Sequence, residues 1–84
     1  MVEVNENKGD AYYNLSKLLY NYVLGLQGAK PYGDWTMERA LKEINTALEN
    51  DKQGLYYQLQ GDIYFAMKKY PEAFASYEAV TARR

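Results

Sequence analysis

The sequence predicts an all-α fold of two helical hairpins, and three observations carry that prediction. Apolar residues recur at intervals of three and four along most of the chain, the spacing of one face of a helix. No segment alternates apolar and polar residues with period two, so strands are not expected. The chain also writes one phrase twice, DAYYNLSKLLY at 10–20 and GLYYQLQGDIY at 54–64, with Tyr12 and Tyr56, and again Tyr20 and Tyr64, 44 positions apart.

The opening residues 1–9 are polar apart from Met1, Val2 and Val4, which predicts a frayed lead-in. From Asp10, a suitable N-cap, Ala11, Leu15, Leu18, Leu19, Tyr22, Val23 and Leu26 mark the apolar face of a first helix. Gly25 and Gly28 weaken its last turn, and GAKPYGD at 28–34 forms a loop because two glycines and a proline exclude regular structure. A second helix fits WTMERALKEINTALEN at 35–50, with Asp34 as N-cap and Met37, Leu41, Ile44 and Leu48 as its buried stripe. The polar turn at 50–54 ends it. A third helix follows in LYYQLQGDIYFAMK at 55–68, burying Tyr56, Leu59, Ile63 and Met67. The fourth starts at Pro71, whose fixed φ suits a first helical position, and is expected to bury Phe74, Tyr77 and Val80.

The third helix repeats the first at an offset of 44, whereas Ala40, Leu41, Ile44 and Ala47 match Ala73, Phe74, Tyr77 and Val80 at an offset of 33. The difference, 44 minus 33, places 11 extra residues between Tyr20 and Ala40. The units are therefore residues 10–50, with the loop 28–34 inserted, and residues 54–83.

Tyr57, Gly61 and Tyr64, followed by Ala73 and Tyr77, resemble the tetratricopeptide repeat pattern of aromatic, Leu-Gly and Tyr on one helix and Ala with an aromatic four later on the next. Gln60 departs from the leucine of that pattern. In the first unit Tyr13, Tyr20, Ala40 and Ile44 match in kind, while Ser16 and Lys17 replace the Leu-Gly pair. The resemblance covers roughly residues 10–82 and implies two antiparallel hairpins stacked as a short right-handed solenoid. It also implies a concave groove, lined by the first helix of each hairpin, that takes an extended peptide or a helix. On this chain the groove residues would be Asn14, Leu18, Asn21, Gln58, Asp62 and Phe65. No Lys or Arg stands among those six, so the Lys-and-Asn clamp that some members use for a terminal carboxylate is not expected.

Composition narrows the function classes. The 84 residues include neither cysteine nor histidine, which removes thiol nucleophiles, zinc thiolate sites and the commonest general base and metal ligand. Ser16 and Ser76 are the only serines and lack an activating partner; the carboxylate pairs Asp62 with Glu72 and Glu38 with Glu43 read as solvated helix faces. Gly25 and Gly28 form no phosphate cradle. No enzyme, cofactor or metal is expected. Ten basic and eleven acidic residues are interspersed, so nucleic acid is not expected as a partner. No apolar run suggests membrane insertion and no targeting signal is visible. The default expectation is a cytoplasmic chain, unless it is part of a longer exported protein.

The expected function is accordingly that of a non-catalytic scaffold or adaptor module binding a protein or peptide, as one piece of a longer repeat protein. Most of the ten tyrosines read as core wedges, among them Tyr20, Tyr57, Tyr64 and Tyr77. Tyr32 and Trp35 lie in or beside the inserted loop as contact candidates, Trp35 having the alternative of folding onto the first helix. Ala75, Ala79 and Ala82 form a smooth stripe on the fourth helix, a candidate self-association face or simple helix propensity. The alternative function is a structural segment that stacks within its own chain or forms homo-oligomers.

Overall fold

The computed structural model describes residues 8–82, which form four helices: α1 (Lys8–Leu26), α2 (Met37–Asn50), α3 (Gly54–Ala66) and α4 (Tyr70–Ala82). No strand occurs among the described residues. Most of the expected lead-in and the two terminal arginines lie outside them. Lys8 and Gly9, assigned to the lead-in by composition, instead open α1.

Helices α1 and α2 pack as one pair and α3 and α4 as another, and α2 also packs on α3. The three residues between α3 and α4 leave room only for a reversal of direction. α2 therefore lies between α1 and α3, and its residues Ala40, Ile44, Ala47 and Leu48 join Leu19, Tyr56, Leu59 and Ile63 in the core. α2 turns its one apolar stripe into the space between α1 and α3, while α3, apolar around more of its surface, meets α4, α2 and α1.

Two expected caps are corrected. Asp10 lies within the first turn of α1, and its carboxylate accepts a hydrogen bond from the Tyr56 hydroxyl. The helix extends back past it because Gly9 is buried against Tyr56, where an added Cβ would stand 2.9 Å from the ring. Asp34 does not cap α2 either. Thr36 does, its Oγ1 accepting from the Arg39 amide at 3.2 Å, while Asp34 pairs with the Arg39 guanidinium at 3.2 Å. α2 starts later than expected because residues 32–36 are spent in turns, with the Trp35 amide donating to the Tyr32 carbonyl at 3.1 Å and the Thr36 amide to the Asp34 carbonyl at 2.9 Å.

Two apolar expectations also change. Phe74 is 69 % exposed, and Leu18 is 55 % exposed. α4 packs only on α3, so it buries a narrow strip that includes Ala73 and Ser76, with Tyr77 and Val80 half-buried. Leu18 lies on the solvent side of α1. The tyrosine fully inside is Tyr56, 1 % exposed, whereas Tyr20, Tyr57, Tyr64 and Tyr77 are half-buried wedges.

Candidate functional site

The groove between α1 and α3 begins with a stacked pair. Tyr13 lies on Tyr56 with ring centroids 5.1 Å apart, which brings α1 across α2 to meet the start of α3. Below that contact opens a hollow of about 190 Å³, walled by Tyr13, Lys17, Tyr20 and Asn21 from α1 and by Leu55, Gln58, Leu59 and Asp62 from α3. Of the six expected groove residues it gathers Asn21, Gln58 and Asp62. Asn14, Leu18 and Phe65 are exposed outside it, Phe65 meeting Tyr70 edge-on at 5.3 Å.

Lys17 corrects the expectation that no cation accompanies the groove. Its Nζ lies 6.0 Å from the centre of the Tyr13 ring, at the outer reach of a cation–π contact. Offset 44 equates Lys17 with Gly61, a position of close packing in the second unit, and that equivalence hid it from a reading of the sequence. In α3 an added Cβ on Gly61 would lie 2.5 Å from the Tyr77 ring; in α1 the same position faces solvent and carries a long side chain.

Asp62, on the opposite wall, is held in place rather than free to swing. It accepts from the Tyr77 hydroxyl at 2.5 Å, and burial together with that bond and the carboxylate charge pushes the Tyr77 pKa up to about 12. Burial, then the Asp62 charge, also raises Tyr20. The groove thus offers apolar and aromatic walls, two side-chain amides able to pair with backbone groups, one cation and one fixed carboxylate.

The residues behind the groove are tied by a polar seam that sequence reasoning did not find. Gln60 Nε2 donates to Asn45 Oδ1 at 2.7 Å, and the Ser76 hydroxyl donates to Gln60 Oε1 at 2.8 Å, linking α2, α3 and α4. Gln60 is the residue that departs from the leucine of the repeat pattern, and the polar partners facing it from both sides are the reason. Ser16, fully buried, donates to the Ala40 carbonyl at 2.6 Å and pins α1 to α2. Both serines are consumed in helix packing. Glu43 pairs with Arg39 at 3.5 Å, along one face of α2.

The middle of the inserted loop is fastened to α1 through Tyr22. Tyr22 meets Trp35 edge-on at 5.2 Å, and its hydroxyl accepts from the Tyr32 amide at 3.1 Å. Trp35 thus folds onto the long first helix and is 38 % exposed, while the Tyr32 ring is 78 % exposed at the loop tip. Ala75 and Ala82 are exposed and Ala79 half-buried on α4.

Among the described residues no group of three His, Cys, Asp or Glu side chains could hold a metal ion, and no helix is long and apolar enough to cross a membrane. The chain matches no family model, no curated protein and no solved structure.

Proposed function

We propose that this chain is a non-catalytic, tetratricopeptide-like module that binds a protein segment along the groove between α1 and α3. The observation that carries the reading is the composition of that groove: tyrosine and leucine walls, with Asn21 and Gln58 amides between a cation, Lys17, and a carboxylate, Asp62. Such a surface suits an extended or helical peptide with an apolar anchor and a basic residue near Asp62. The internal repeat at offsets 44 and 33 supports the resemblance, as does the Gly61 contact with Tyr77.

Panning a random peptide library against the chain, followed by titration of the selected peptides, tests this. Leu55 lines the groove yet is 58 % exposed, so Leu55→Glu leaves the core intact. The variant is expected to bind at least about tenfold more weakly, the equivalent of ~1.4 kcal/mol. Unchanged affinity with unchanged circular dichroism refutes the groove as the site. A second reading, self-association in place of ligand binding, is favoured by the large apolar side chains that α4 leaves in solvent.

A further inference from the structure

α2 and α4 are equivalent helices at an offset of 33, but they are not equally covered. Met37 and Leu41 of α2 are half-buried, while their counterparts Tyr70 and Phe74 are 47 % and 69 % exposed. Ala47 and Leu48 are buried; their counterparts Val80 and Thr81 are half-buried and exposed. Val80 rests on α3 within the hairpin, 3.9 Å from the Cβ position of Gly54, so the uncovered positions are Tyr70, Phe74 and Thr81, which at about 100° per residue fall within one sector of roughly 40°. They mark a face that is covered on α2 and open on α4.

The alanine stripe is a different face. Ala75, Ala79 and Ala82 point roughly 80° or more beyond that sector. Their α2 counterparts are Lys42, Thr46 and Glu49, polar residues on the face that α2 turns toward water.

A second face is partly open on α1. α1 and α3 are equivalent at an offset of 44, and Tyr56 and Leu59, 1 % and 7 % exposed in α3, correspond to Tyr12, 38 % exposed, and Leu15, half-buried. Tyr56 and Leu59 lie where α3 meets both α1 and the α2 core, so the chain carries that contact face twice, once covered on α3 and once only partly covered on α1, where Leu15 rests on the core and Tyr12 is exposed.

We propose that the Tyr70 and Phe74 face of α4 receives the Tyr12 and Leu15 face of α1 from a second copy of this chain. The proposal rests on the self-association reading and is independent of the groove. The two mating faces differ, so the contact is heterologous and each added copy leaves a further face open. A single helix pair buries less than a standard stable interface, so assembly is weak and depends on concentration.

Light scattering across a concentration series, with Phe74→Glu and Tyr12→Glu, tests it. Both positions are exposed, and far-ultraviolet circular dichroism checks that helicity is kept; Tyr70→Lys and Tyr12→Lys replace any variant that loses it. The wild-type mass is expected to rise beyond twice 9.7 kDa, while each variant alone stays at 9.7 kDa. An equimolar mixture of the two is expected to form a dimer and stop, because one intact α1 face meets one intact α4 face. A wild-type chain that stays monomeric overturns both this pairing and the self-association reading. Association that survives in Tyr12→Glu, or that Ala79→Glu abolishes and Phe74→Glu does not, overturns the pairing and leaves self-association by another face.

Discussion

Gly61 and Tyr77 hold each other in place, because the ring occupies the space a Cβ would need and its hydroxyl is anchored on Asp62. Gly61→Ala adds a favourable helix propensity of about 1 kcal/mol. Overpacking of this kind costs about 1–3 kcal/mol, and the anchored ring cannot swing aside, so a net loss of stability is expected in urea titration. Lys68 presents the opposite case. It ends α3 at φ 65°, with the Lys69 amide donating to the Tyr64 carbonyl at 2.8 Å, a closure that ordinarily uses glycine. Lys68→Gly is expected to stabilise the chain by about 1 kcal/mol by the same titration. The buried Tyr56 phenol and the half-buried Tyr77 phenol predict alkaline unfolding. Tyr77 is raised from 10.0 to about 12 and Tyr56 is raised further, so the folded state holds protons that the unfolded chain has released. That stability is complete below pH 10 and falls as pH rises through about 12. Tyrosinate absorbance recorded alongside circular dichroism should show the two changing together, and Tyr77→Phe should flatten the dependence.

At the level of elements, what the sequence declared best was what depends on periodicity. All four helices appear where apolar spacing put them, and Ile44, Leu48, Tyr56, Leu59 and Ile63 are buried as expected. Helix starts were less legible, since they depend on tertiary contacts: Asp10 has the chemistry of a cap, but Tyr56 claims its carboxylate. Phe74 failed because periodicity identifies an apolar face and not whether a neighbour covers it. Three of the eight residues that wall the groove, Asn21, Gln58 and Asp62, were legible from the repeat, and Lys17 and Tyr13 were not, because their roles arise from the approach of α1 to α3. The loop between α1 and α2 follows the same logic: Tyr22 ties its middle to α1, and Asp34 ties its far end to Arg39 of α2. Tyr22→Ala should therefore speed proteolytic cleavage within residues 27–36 while leaving the helical signal nearly unchanged.

The whole molecule is a thin assembly, 42 × 32 × 16 Å, with α2 near its centre and α4 at one edge. Helices with two neighbours open less often than those with one. Hydrogen exchange is expected to be slowest in the amides of α2 and α3 and fastest, among the helices, in α4; protection in α4 equal to theirs would contradict the packing described. The position of Trp35 has an optical consequence. It is the chain's sole tryptophan, and it rests on the loop's attachment to α1 and not in the core. Its emission is thus a gauge of one local fastening, whereas ellipticity sums over all four helices. On gentle heating the emission maximum should move to the red before the helices melt, so that an unfolding curve taken from fluorescence alone would underestimate the melting temperature of the chain.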